Sequence, residues 1–168
     1  HGAIWAAMAF AALDQRERAW ALLDLINPVN HARDAAGAAT YKVEPYVMAA
    51  DVYGVAPHIG RGGWSWYTGS AGWMYRLIVE SLLGLRLSTP PDSGARLQLA
   101  PCLPPGWPGY TLDYRYRSTG YRIEVTQGSA DEGAPGLSVD GVAQDDMVVA
   151  LVDDQRAHAV TVRVLLPA

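Results

Sequence analysis

Residues 61–74, RGGWSWYTGSAGWM, set Trp64, Trp66 and Trp73 around a glycine-rich turn that runs into an apolar stretch. Flat rings with a polar edge stack on the faces of sugars. The first N–H groups of a helix lack partners within it and bind anions. The pattern therefore fits a place that holds a sugar and an anion together. It equally fits a buried aromatic cluster with glycines for close packing, and both readings stand at this point. In Thr68-Gly69-Ser70, Thr68 is a competent helix N-cap, while Gly69 and Gly72 carry no side chain to block an anion. Glu44, beside Tyr41 and just before Pro45, has two roles open to it: accepting hydrogen bonds from sugar hydroxyls, or favouring a helix dipole. Arg61 suits either an anion clamp or a cap on a loop carbonyl. His1 offers an imidazole donor. His31 and His158 read as surface residues, His58 has no assigned role, and Asp153-Asp154 reads as turn chemistry, not a metal site.

The elements that must position these groups change character along the chain. Ile4, Met8, Ala11 and Ala12 share the face of one helix, and Trp20, Leu22 and Leu23 line a second. Asp14 marks the turn between them and Asn27-Pro28 stops the second. Residues 31–40 read as a small polar loop. Glu44-Pro45 reads as the entry to a short helix reaching about Tyr53, followed by a loop over 54–63. A last helix is expected from Thr68 to near Gly84, with Ala71, Met74, Tyr75, Ile78, Leu82 and Leu85 as its apolar stripe. Residues 88–94 (STPPDSG) read as a linker. Beyond it the period becomes two. Tyr110, Leu112, Tyr114 and Tyr116, then Tyr121, Ile123 and Val125, alternate with polar residues across a turn at Ser118-Thr119-Gly120, which is a β-hairpin. Asp140-Gly141 is a second hairpin turn. Residues 147–152 and 159–165 are expected to pair around Asp153-Asp154, completing a small antiparallel sandwich.

With 168 residues, 50% hydrophobic and 18% charged, the chain is of globular and not disordered type. A net charge of −4 supplies no basic surface for nucleic acid. The single cysteine, Cys102, rules out an internal disulfide, reads as an apolar filler and is compatible with a reducing compartment. The opening HGAIWAAMAFAAL has no initiator Met, basic leader or cleavage pattern. Its apolar run is broken over 14–18, short of the ~20 residues a membrane span needs. The expectation is a piece of a longer polypeptide, with helices built to pack on absent neighbours and hence poorly soluble or oligomeric alone.

Residues 41–74, YKVEPYVMAADVYGVAPHIGRGGWSWYTGSAGWM, resemble the C-terminal end of the catalytic barrel of the glycoside hydrolase family 94 phosphorylases. Within that family the resemblance is to the phosphorylase-like region of bacterial cyclic β-1,2-glucan synthases. It is strong over 41–86, good over 1–27 and loose over the strands. The resemblance implies an α+β multidomain fragment: the C-terminal helices of an (α/α)6 barrel over 1–87, a linker over 88–94, and a small antiparallel β-sandwich over 95–168. The implied reaction is inverting phosphorolysis of a β-glucoside, in which a carboxylic acid protonates the leaving oxygen while phosphate attacks from the opposite face. Thr68 and Gly69 match the family's phosphate-contacting Thr-Gly pair, and HGAIW sets His1 at its phosphate-contacting histidine. Tyr41, Glu44, Arg61, Trp64 and Trp66 fall on the substrate-binding face. No residue here matches the family's general acid, an Asp expected upstream, so the chain alone is expected to be inactive. The implied partners are a β-linked gluco-oligosaccharide, inorganic phosphate as co-substrate and the rest of the parent polypeptide, with no other cofactor, no metal and no membrane segment in this chain. The implied compartment is cytoplasmic, at the inner membrane if the parent is a glucan synthase. Two other classes stay open: an inverting α/α-barrel hydrolase with Glu44 as general base, and a non-catalytic carbohydrate-binding piece using the tyrosines of 110–121.

Overall fold

Alanine, leucine and other apolar residues without an internal proline make the first two helices, α1 (Gly2–Ala12) and α2 (Arg16–Ile26). They turn on Asp14, in the left-handed region at φ 55°, whose carboxylate accepts from Arg16 Nε at 2.7 Å. The Asn27 side chain accepts from the Val29 N–H and starts a single-turn helix, α3 (Pro28–His31), with Pro28 at its first position. The computed structural model describes residues 1–66, 69–92 and 94–166. They belong to two units, His1–Leu82 and Leu83–Ala168.

The stretch expected as a polar loop contains α4 (Ala35–Tyr41). Asp34 caps it, accepting from the Gly37 N–H at 2.7 Å, and Lys42 ends it in the left-handed conformation at φ 60°. The helix expected from Glu44 to Tyr53 is absent. Glu44 precedes a proline, which disfavours helical backbone there. The segment after it spends its backbone groups on a partner stretch: Ala50 N–H on Trp64 O (2.7 Å), Gly63 N–H on Asp51 O (2.9 Å) and Tyr53 N–H on Arg61 O (2.9 Å). Gly63 permits this approach, because a Cβ there would lie 2.2 Å from Asp51 Oδ1.

The last helix is α5 (Ser70–Arg76), with Gly69 at the N-cap position, one residue after the expected cap, and no side-chain cap. Thr68, the expected cap, lies outside the described residues. From Leu77 to Leu82 the winding widens to π. Ser70, Met74 and Leu77 are buried at ordinary helical spacing, and the wider turn then brings both Ser81 and Leu82 inward. Of the expected stripe, Ala71 and Tyr75 are exposed and Leu85 lies beyond the helix. Ile4, Ala7, Ala19, Leu23, Met74, Leu77 and Leu82 form the core of this unit.

The second unit opens with β1 (Leu85–Ser88), paired antiparallel with β2 (Arg96–Leu99), which pairs with β7 (Val148–Ala150). The expected linker is thus the loop of the β1–β2 hairpin. A five-stranded sheet holds β3 (Gly109–Tyr116), β4 (Thr119–Gly128), β5 (Gly136–Val139), β6 (Val142–Ala143) and β8 (Ala157–Leu165), in the order β3-β4-β8-β5-β6. The Asp140-Gly141 turn is as expected, and so is the β3–β4 hairpin except that it turns at Arg117-Ser118, with Thr119 and Gly120 already in β4. The pairing of 147–152 with 159–165 is not: β7 lies in the other sheet, and β8 runs parallel to β4. The sheet is therefore mixed, not antiparallel. Alternation cannot distinguish the two, since side chains change face at every residue in both. Thr119, Tyr121, Ile123 and Val125 of β4 are buried with Val160 and Val162 of β8. The tyrosine face of β3 is half-buried, and Tyr110 donates its hydroxyl to Leu83 O at 2.5 Å. Cys102 is buried.

Candidate functional site

Helix α1 begins at His1, whose carbonyl accepts the first helical bond from the Trp5 N–H at 2.9 Å. Its imidazole lies against the start of α5. A Cβ built on Gly69 would stand 3.1 Å from His1 Nε2, so glycine there is what leaves room at the ring. His1 and Gly69, far apart in sequence, are thereby neighbours. His1 also lines a cavity of about 270 Å³ with Ile4, His31, Tyr41, Asp51 and Ser70.

Tyr41, at the end of α4, is buried, and its ring stacks on His31 with centroids 4.9 Å apart. Burial pushes its phenol pKa above the ordinary value, against a smaller opposing hydrogen bond with the Ala49 backbone. His31 is therefore a wall of the cavity and not a surface histidine. Sequence reading gives Asp51 no role and places Ser70 only at a helix start, not at a cavity wall. Asp51 Oδ1 accepts from the Trp64 N–H at 3.3 Å, tying the cavity wall to the tryptophan loop. No spacing in the sequence announces that tie, because it depends on the backbone pairing of 50–53 with 61–64.

The three tryptophans separate by role. Trp73 meets the Trp5 ring edge-on at 5.4 Å, and Arg76 covers it at 5.0 Å from the centroid. For Trp73 the packing reading holds. Trp64 and Trp66 are 67% and 66% exposed, which leaves ring area for a ligand. Trp66 stands in the left-handed region at φ 69°. Its indole Nε1–H donates to Glu44 Oε1 at 2.9 Å, and Ser65 Oγ–H donates to Oε2 at 3.2 Å. The Trp66 bond, followed by smaller ones, holds the Glu44 carboxyl below the usual range. Arg61 is exposed and lines neither this cavity nor the neighbouring cleft at Trp66. Of the expected residues, His1 and Tyr41 line the cavity, Gly69 lies against the His1 ring, Glu44 is bonded to Trp66, and Trp64, like Arg61, lines neither space.

In the strand unit, His158 is a half-buried part of a network and not the surface residue expected. Its Nδ1 lies 2.7 Å from Asp140 Oδ2, its Nε2 3.3 Å from Asp154 Oδ1, and its ring stacks on Tyr121 at 5.1 Å. Asp153 accepts from the Ser118 N–H at 3.1 Å and from its hydroxyl, so the acidic pair serves the turn. Among the described residues, no group of three or more His, Cys, Asp or Glu is arranged to hold a metal ion. No helix among them is long and apolar enough to cross a membrane.

Residues 1–84 match the catalytic domain of the glycosyl hydrolase 94 superfamily, and residues 92–131 match the C-terminal domain of glycosyl hydrolase family 65. The chain is 48% identical over 139 residues to the cyclic beta-(1,2)-glucan synthase NdvB of Rhizobium meliloti, covering 83% of this chain and 5% of that protein. It is 36% identical over 110 residues to the 3-O-beta-D-glucopyranosyl-beta-D-glucuronide phosphorylase of Paenibacillus borealis, covering 64% and 13%. It is 30% identical over 144 residues to the N,N'-diacetylchitobiose phosphorylase of Vibrio furnissii, covering 84% and 17%. The chain therefore spans only a small part of the length of each of these relatives. Over its first half, the chain belongs to the glycosyl hydrolase 94 superfamily.

Proposed function

We propose that this chain supplies the phosphate-holding half, and part of the sugar face, of an enzyme that cleaves β-glucosides by inverting phosphorolysis. The helical unit would be the closing part of its (α/α)6 barrel. The observation that carries the reading is the juxtaposition of His1 Nε2 with Gly69. An imidazole donor beside a backbone with no side chain in the way is suited to orient an oxyanion. With Thr68 these residues would hold phosphate, and Tyr41, Glu44, Arg61, Trp64 and Trp66 would form the saccharide side. The proton donor, which must face the sugar from the side opposite phosphate, would come from a segment outside this chain, because no residue here resembles the family's acid.

The hydrolase alternative needs Glu44 as general base. Both of its oxygens already accept hydrogen bonds, and its pKa is shifted down, whereas a general base works best with a pKa near the operating pH. That favours phosphate over an activated water. The test is proton and phosphorus NMR of the full-length protein acting on a β-1,2-linked gluco-oligosaccharide. Phosphate-dependent appearance of α-glucose 1-phosphate is the expected result. Cleavage that proceeds equally without phosphate would refute the reading.

A further inference from the structure

The Glu44–Trp66 bond adjoins a second cleft. Tyr46, Val47, Met48, Trp66 and Ala71 line a space of about 270 Å³. None of these side chains is charged. Two are aromatic and largely open, Tyr46 at 72% and Trp66 at 66% exposure. Ligand pockets begin at about 300 Å³, so this one suits a single ring and not an extended chain. A pyranose presents faces of C–H groups with its hydroxyls at the rim, and an aromatic ring accepts such a face.

Trp66 buries too little of its ring for packing to fix it, and its backbone sits where L-residues seldom do. Its orientation is set by the indole N–H on Glu44 Oε1, with Ser65 steadying the other carboxylate oxygen. We propose that this cleft takes one pyranose ring of the oligosaccharide, contacted by Tyr46 and Trp66, and that Glu44 is a positioning residue acting through the Trp66 indole. This rests on the glucoside reading above and changes Glu44 from a sugar ligand to the support of one.

The test is titration of a β-1,2-linked gluco-oligosaccharide into the full-length protein without phosphate, read by calorimetry. Because no turnover is involved, the cleft can fail while phosphorolysis stands, and the reverse. Tyr46→Ala and Glu44→Ala should each raise the Kd roughly two- to tenfold, the range of one aromatic contact. Glu44→Gln should stay near wild type, since its amide oxygen still accepts the indole N–H. Trp66→Phe keeps a ring but removes that N–H, so Glu44→Ala should add nothing in its background. Full multiplication of the two effects would mean that Glu44 meets the sugar itself, and would overturn the positioning role. Glu44→Gln weakening binding as far as Glu44→Ala would do the same. Unchanged affinity in Tyr46→Ala and Glu44→Ala would remove the sugar from the cleft.

Discussion

The helical unit and the strand unit use their polar aromatics in opposite ways. In the strand unit they are committed internally. Tyr121 donates to Val152 O at 3.2 Å and accepts from the Val152 N–H at 2.8 Å, Tyr110 donates to Leu83 O, and Thr119 Oγ1 accepts from the N–H groups of Asp154 and Gln155. The helical unit instead leaves Trp5, Tyr46, Trp64, Trp66 and Tyr75 at least half exposed. The lesson is that an abundance of tyrosine and tryptophan does not mark a sugar site by itself. What marks one is ring area left open beside converging polar groups, and among the described residues the helical unit offers more of it than the strand unit, where Trp107 is 41% exposed. Of the tyrosines of 110–121, Tyr110 and Tyr121 are engaged by their own fold, and Tyr114 and Tyr116 are half-buried.

The largest expected effect concerns the chain by itself. It should release no sugar phosphate from a β-linked gluco-oligosaccharide, because the proposed reading takes the proton donor from a segment outside it. Any turnover by the purified chain contradicts that assignment. Its open aromatics should also drive self-association, seen by light scattering; a monomer with a sharp melt speaks against it.

Next come two substitutions that set the units against each other. Ile123 is fully buried in β4, so Ile123→Ala should cost about 2–5 kcal/mol in urea unfolding. Trp64→Ala, at a ring 67% exposed, should cost clearly less stability than Ile123→Ala while weakening saccharide use. Equal losses of stability would mean that the Trp64 ring is packed, and the contrast between the units would collapse.

At the proposed anion site, losing a donor to a charged ligand costs about 1.5–3 kcal/mol, roughly ten- to a hundredfold. His1→Ala and Thr68→Val in the full-length protein should raise the phosphate KM by that order and leave the saccharide KM nearly unchanged. Saccharide KM rising in step would place these residues on the sugar instead.

The smallest effect is a pH dependence confined to the strand unit. The hydrogen bond to Asp140 leads the causes that raise the His158 pKa. Stability from the protonated ring is therefore full below the unfolded value near 6.5 and lost as pH rises through the raised folded value. Asp140 is shifted down, first by His158 and then by the Ala159 N–H. Its contribution is present above the unfolded value near 3.8 and lost as pH falls through the lowered one. His158→Asn should flatten the decline in Tm above pH 6.5 by a few degrees. An unchanged decline would mean that the network carries no titration-linked stability.

Much of this architecture is legible where local chemistry suffices. The α1–α2 pair follows from its apolar period, β3–β4 from alternation, and the β5–β6 turn from Asp140-Gly141, both in the left-handed region. Helix α4 was hidden because Ala-Ala-Gly-Ala-Ala-Thr looks like a loop, although Asp34 was available as its cap. The absent helix after Pro45 and the parallel β4–β8 pairing were decided by partners distant in sequence, which neither propensity nor period encodes. The same holds at the site. The residue types of the tryptophan loop are visible in the sequence, but Asp51, Ser70 and the engagement of Glu44 by Trp66 emerge only once 50–53 lies against 61–64.

Gly69→Ala in the full-length protein probes the phosphate assignment with the least disturbance. Gly69 has φ −71°, which any residue adopts, so the substitution introduces only a methyl group, 3.1 Å from His1 Nε2. Steady-state kinetics at varied phosphate should show the phosphate KM raised about tenfold, the equivalent of 1.4 kcal/mol, with the saccharide KM and the Tm held. An unchanged phosphate KM, or a rise confined to the saccharide, would contradict a phosphate site at His1 and Gly69.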